Sequence, residues 1–222
     1  MSDLLATVEV ETGSDIAASV IWLHGLGASG HDFESIVPML KTPNVRYVFP
    51  HAPSIPVTIN GGMVMPAWYD ITNADLAQRN DVEGIQRSAE QTRALIEREE
   101  ERGIPAEKIV LAGFSQGGAI ALYEGLRHPK KLAGIMALST YLVLHEHLET
   151  ERAEVNASTP ILINHGEHDP MVPILGGQHA QHTLESLGYD VTFKSYPMEH
   201  QVVLEQIDDI GVWLNHVLQT QP

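Results

Sequence analysis

Ser115, Asp169 and His200 are residues whose types and order could do chemistry in this chain. Ser115 is the centre of Gly113-Phe114-Ser115-Gln116-Gly117, a G-x-S-x-G pentapeptide. A serine hydroxyl is a weak nucleophile until a base takes its proton and an acid orients that base. The apolar residues 109–112 precede the pentapeptide, and small and apolar residues 118–123 follow it. Strand, sharp turn and buried helix is the context in which such a turn lifts the serine clear of a sheet. The flanking glycines fit that geometry, because a Cβ at either position would meet the neighbouring strand and helix. A glycine-rich turn whose serine only caps a helix is the plainer alternative.

The chain has twelve histidines, so position must select the base. Residues 161–164 are apolar, follow Thr159-Pro160 and read as a buried strand. They end in His165-Gly166-Glu167-His168-Asp169-Pro170, which puts Asp169 where an orienting acid belongs. Residues 191–196 read as the next strand and end in Pro197-Met198-Glu199-His200. Val202, Val203, Ile207, Ile210, Leu214 and Leu218 then recur at helical spacing. Ser115, Asp169 and His200 are therefore each expected just past the C-terminal end of a strand. That edge of an open α/β sheet is where ligands bind. Asp190 precedes its strand, Asp208, Asp209 and His216 fall on the last helix, and His179 and His182 fall in a helical stretch, so each is a poorer candidate.

Attack on a carbonyl also needs N–H donors for the developing oxyanion. Residues 19–23 read as a strand that runs into His24-Gly25-Leu26-Gly27-Ala28-Ser29-Gly30. The backbone N–H groups of Leu26 and Gln116 are the expected donors. The same loop matches G-x-G-x-x-G, but the second strand, residues 45–49, ends in Pro50-His51-Ala52-Pro53 with no acid to hold a ribose. No G-K-[ST] occurs, so a phosphate-binding loop of the Walker type is excluded.

The remaining elements must position these groups. Residues 51–79 carry little periodicity and read as a long loop. Its apolar centre, with Met65 and Trp68, suits one wall of an acyl pocket, or else satellite core. Leu142, in the stretch after the strand at residues 133–138, is the candidate for the opposite wall, with a buried loop as the alternative. Asn80-x-x-Glu83 predicts a helix start, with Val82, Ile85, Ala89 and Ile96 on one face and a stop at Gly103. Its charged residues 97–102 read as a solvated face. His145-x-His147, His165-x-x-His168 and His179-x-x-His182 could suggest a metal. None is H-E-x-x-H and no cysteine supports them, so no metal or other cofactor is assigned.

At 222 residues and 43% hydrophobic content, a single domain over residues 1–222 is expected. Alternating strands and helices point to a mostly parallel sheet. The net charge of −16 argues against a nucleic-acid partner and against electrostatic docking on anionic membranes. No apolar run reaches transmembrane length and the N-terminus lacks a basic, then apolar, leader, so a cytoplasmic protein without stable membrane insertion is expected. Without cysteine the chain forms no disulfide and uses no thiolate.

In combination these passages resemble the phospholipase/carboxylesterase group of α/β-hydrolases, which includes small carboxylesterases and acyl-protein thioesterases. The resemblance is carried by His24-Gly25-Leu26-Gly27, Pro66-Ala67-Trp68-Tyr69-Asp70, Ile104-Pro105 through Gly118, and the stretches around Asp169 and His200. It runs from about residue 18 to the end of the chain. It implies an α/β-hydrolase fold with a mostly parallel central sheet, helices on both faces and no large lid domain. It also implies Ser115 as nucleophile, Asp169 as orienting acid, His200 as base, and Leu26 and Gln116 as oxyanion donors. The expected activity is hydrolysis of a small acyl ester or thioester, with a lipid or an acylated protein among the candidate substrates. A homodimer is left open. The alternatives are a catalytically silent member serving as receptor or scaffold, and a small peptidase of the same fold.

Overall fold

The structure is a computed structural model that describes residues 4–73 and 81–219. Among these residues nine strands form, in chain order, at β1 (Thr7–Glu11), β2 (Ala18–Leu23), β3 (Val45–Pro50), β4 (Ser54–Val57), β5 (Met63–Pro66), β6 (Ile109–Phe114), β7 (Gly134–Leu138), β8 (Ile161–Gly166) and β9 (Val191–Tyr196). Helices are α1 (Val37–Leu40), α2 (Val82–Glu101), α3 (Gln116–Arg127), α4 (Leu148–Glu151), α5 (Ile174–Ser186) and α6 (Leu204–Leu218). Seven strands make one sheet in the order β1-β3-β2-β6-β7-β8-β9. β1 is antiparallel to β3, and every other pairing in that sheet is parallel. The expected α/β-hydrolase architecture is therefore present.

The central strands are apolar on both faces because both faces are covered. Along β6, Ile109 and Leu111 point into a core shared with Ile85, Leu95 and Ile96 of α2 and Ile120 of α3. Val110 and Ala112, one residue out of phase, join the core of α1 and α6 through Val37, Leu40, Ile210 and Leu214. α5 covers the first face further along, where Ala180 and Leu184 meet Ile135, Ile161 and Ile163. Sandwiched strands hold their ends rigidly, and Ser115, Asp169 and His200 follow the ends of β6, β8 and β9.

Several local expectations are corrected. Residues 54–66 are not loop but a two-stranded antiparallel hairpin, β4 with β5. Its turn uses Gly61 and Gly62 at φ 67° and 78°, the left-handed region that glycine adopts freely. Asn80 lies outside the described residues, and α2 is capped by Asp81, whose carboxylate accepts from the Gly84 N–H at 3.0 Å. Val82 on α2 is exposed, and Glu99, placed by its sequence on a solvated face, is wholly buried. Glu99 is compensated there by Arg46, Arg98 and Arg102 and by the Ser19 hydroxyl. Val202 and Val203 precede α6, which begins at Leu204.

Candidate active site

β6 ends at Phe114 and α3 begins at Gln116, so Ser115 alone makes the turn between them. It does so at φ 53° and ψ −121°, a conformation that costs of order 1–3 kcal/mol for a residue with a Cβ. Several hydrogen bonds hold it there. The Ser115 N–H donates to Leu138 O at 2.8 Å, and Ser115 O accepts from the Thr140 hydroxyl at 2.6 Å and the Ala119 N–H at 3.2 Å. The glycines are required by close approach. A Cβ on Gly117 would lie 2.5 Å from His24 O, and one on Gly113 would run into the Gly117 backbone.

Asp169 follows β8 and His200 follows β9. The structure brings them together, with His200 Nδ1 2.6 Å from Asp169 Oδ2. The other carboxylate oxygen accepts from the N–H groups of Met171 and Val172, both at 2.9 Å. Burial alone raises the Asp169 carboxyl. The His200 hydrogen bond and the two N–H donors outweigh it and hold the group below its ordinary value of 3.8. The carboxylate thus stays ionised and the His200 Nδ1 keeps its proton. Nε2 is then left with the lone pair. The ring rests on Phe114 with centroids 4.7 Å apart.

Ser115 and His200 line one cleft of about 300 Å³. The loop after β2 forms its near rim through Gly25, Leu26 and Ala28. Among the described residues, the N–H groups of Leu26 and Gln116 donate no hydrogen bond, whereas Gly27 N–H binds Pro66 O and Ala28 N–H binds Gly25 O. Two unsatisfied N–H groups beside a serine are what an oxyanion requires. His24 supports this loop from within. Its Nδ1–H donates to Gly25 O at 2.7 Å and its Nε2 accepts from Ala52 N–H at 3.1 Å. Burial lowers its pKa, so it stays neutral, which that pattern demands.

The expected wall residues are placed differently. Trp68 is wholly buried and does not line the cleft. Its indole needs a partner in the core and finds His24 O at 2.8 Å. Gln116 grips the same segment, its Oε1 accepting from Trp68 N–H at 2.9 Å and its Nε2 donating to Tyr69 O at 2.7 Å. Leu142 packs with Leu122, Ile135 and Leu148, and its neighbour Tyr141 faces the cleft instead. Met65 is one residue removed, its sulfur accepting from Asn60 Nδ2 at 3.4 Å, and Asn60 lines the cleft. The apolar lining comes from Leu26, Ile59, Ile71, Met171 and Val172. Met171 and Val172 were within reach of sequence reasoning, because they directly follow Asp169-Pro170. Ile59 and Ile71 carried no signal until the hairpin was seen to bring them together.

Among the described residues, no group of three or more His, Asp or Glu side chains is arranged to hold a metal. His145 and His179 meet edge to face at 5.0 Å, apart from the cleft. No helix among the described residues is long and apolar enough to cross a membrane.

Residues 6–218 match the phospholipase/carboxylesterase family. An acyl-protein thioesterase 1 of Gibberella zeae is 39% identical, with 98% of this chain and 97% of that protein aligned. The acyl-protein thioesterase 1 of Neurospora crassa is 43% identical over 90% of this chain and 87% of its own. The crystal structure of Zea mays acyl-protein thioesterase 2 superposes with a TM-score of 0.85 at 30% identity, covering 96% of this chain and 99% of that one. With its parallel sheet, strained serine turn and paired Asp169 and His200, the chain belongs to the phospholipase/carboxylesterase family of α/β-hydrolases.

Proposed function

We propose that this enzyme cleaves acyl ester or thioester bonds through Ser115, His200 and Asp169, by way of an acyl-enzyme. His200 Nε2 takes the Ser115 proton as the hydroxyl oxygen bonds to the acyl carbon. The Leu26 and Gln116 N–H groups receive the oxyanion. On collapse, His200 hands its proton to the departing thiol or alcohol, and water repeats the cycle on the acyl-serine. Asp169 fixes the imidazole tautomer throughout. The observation that carries this reading is the 2.6 Å contact between His200 and Asp169 in a cleft that Ser115 also lines. The relatives named acyl-protein thioesterases support a thioester as substrate, with an acylated protein as its carrier. A volume of about 300 Å³ lies at the small end of ligand pockets and suits a short to medium acyl chain.

The silent-receptor reading has to leave the strained Ser115 turn and the two free N–H groups without use, so the hydrolase reading is preferred. The test is labelling by a fluorophosphonate probe together with Ser115→Ala. Labelling and turnover should vanish together, with turnover falling by about 10⁴-fold or more. Near-normal hydrolysis by folded Ser115→Ala overturns the mechanism.

A further inference from the structure

The cleft has two chemically different flanks. Ile59 and Ile71 stand together, joined by an N–H to carbonyl bond of 2.8 Å, and belong to the apolar flank. On the other flank His200 rests on Phe114, and Phe114 on Phe33 at 5.6 Å. The residue before Phe33 is Asp32, which also lines the cleft. Among the described residues, Asp32 is the one carboxylate that lines the cleft. Among the described residues, no hydrogen bond or ion pair engages its side chain, and only its N–H is used, donating to Ser29 O at 3.0 Å.

Partial desolvation raises the Asp32 carboxyl above its ordinary value. Asp32 is exposed at the rim of the cleft, and His24, which attracts it, is held neutral by burial, so a cation that arrives with a ligand stabilises the carboxylate. The flank matters too. His200 returns its proton to the leaving group, so a residue on the His200 side meets the leaving group and not the acyl chain.

We propose that Asp32 is a specificity-determining residue that favours acyl substrates whose leaving group carries a positive charge. The inference rests on the hydrolase reading above. The shared chemistry is an ammonium or guanidinium near the departing sulfur or oxygen. A basic side chain beside an acylated cysteine carries it, and so does a choline group.

The test compares pairs of substrates that differ only in charge. One pair is hexanoylthiocholine and its uncharged carbon isostere, the 3,3-dimethylbutyl thioester of hexanoic acid. The other is a short S-hexanoyl-cysteine peptide with Lys or Gln beside the cysteine. At low salt the wild type should favour the charged member by about five- to tenfold in kcat/KM, and less at high salt. Asp32→Asn and Asp32→Ala should each lower the charged-to-neutral ratio at least threefold, and Asp32→Glu should retain it. Glu107→Gln makes the same change in net charge on an exposed residue at the opposite sheet edge and should leave the ratio unchanged. An effect in the peptide pair alone identifies a peptide leaving group, and one in the choline pair alone a head group; either supports the proposal. An unchanged ratio in both Asp32 variants overturns it, as does equal loss on charged and neutral substrates. A shift as large in Glu107→Gln also overturns it, since the field of the whole molecule would then be the cause. Neutral hydrolysis that survives Ser115→Ala instead sinks the hydrolase reading, whatever the ratio does.

Discussion

Trp68 donates its indole N–H to the carbonyl oxygen of His24 across 2.8 Å, tying the hairpin exit to the loop that carries Leu26. Trp68→Phe keeps an aromatic ring but deletes the donor and the fused five-membered ring, leaving a buried carbonyl unpaired and a small void. Stability should fall by about 1–3 kcal/mol. The Leu26 N–H should lose its aim, so kcat should drop by up to about tenfold with little change in KM. Steady-state kinetics on acetyl through octanoyl esters decides. A loss confined to long acyl chains would make Trp68 a wall of the pocket after all.

The acyl preference should instead reside in Ile59 and Ile71. Each methylene of substrate that is buried is worth about 0.8 kcal/mol. Lengthening the acyl group from two carbons to six should therefore raise kcat/KM by roughly ten- to a hundredfold, allowing for incomplete burial. Ile59→Ala and Ile71→Ala should flatten that rise more than they slow acetyl hydrolysis. Uniform loss at every chain length would place the acyl chain elsewhere.

Asp169 governs the pH profile by staying out of it. Its carboxyl is held below 3.8, so it remains charged throughout the range in which activity is measured. The acid limb of log kcat/KM should accordingly have a slope of one. Asp169→Asn should cost about 10³- to 10⁴-fold, because the imidazole is then free to adopt the wrong tautomer. A wild-type acid limb of slope two would show that the carboxylate titrates alongside the base.

Acid should also unfold the protein by a separate route. Burial lowers the pKa of His24 and His165 from 6.5, so both are neutral when folded. His165 donates from Nε2 to Val172 O at 2.8 Å, behind the Asp169 loop. Below about pH 6.5 the unfolded chain binds protons that the folded chain refuses, so stability falls as pH drops towards the folded pKa values. Asp169 acts in a lower window: its contribution is present above 3.8 and is lost as pH falls through its depressed folded pKa. Urea unfolding at pH 7.5 and 5.0 should show lower stability at pH 5.0, and His165→Gln should shrink the difference. An identical difference in wild type and variant would assign the acid sensitivity to other groups.

Ser115→Gly should be more stable than the wild type while being inactive. Glycine adopts φ 53° and ψ −121° without a Cβ penalty, and the relief should be of order 1 kcal/mol. Thermal melts of the two proteins check this. A melting temperature below that of the wild type would mean that Ser115 makes a stabilising contact that outweighs its strain.

How far the sequence could be read differs from one part of the molecule to another, for physical reasons. Strands β6 and β8 were legible because sheet strands buried on both faces are short apolar runs, while the edge strand β9 showed itself by alternation and β-branched or aromatic residues; polar residues at their ends stand out. Ser115, Asp169 and His200 inherit that clarity, since each sits at such a boundary. Trp68 was not legible as a core residue, because an apolar aromatic reads alike whether it lines a cleft or fills a core. Only its hydrogen bond to His24 separates the two. Glu99 was misread for the complementary reason. A charge run looks solvated until three arginines from two elements close around one carboxylate.

The three partners that hold Ser115 in its turn come from β7, from the residue pair after it and from α3. No local stretch of chain can reproduce that grip. On the proposed mechanism Ser115 also needs His200, so a nascent chain should stay unreactive until the segment bearing His200 has emerged and docked. Probe labelling then becomes a gauge of folding cooperativity. In a denaturant series the labelled fraction should disappear with the global transition and not before it.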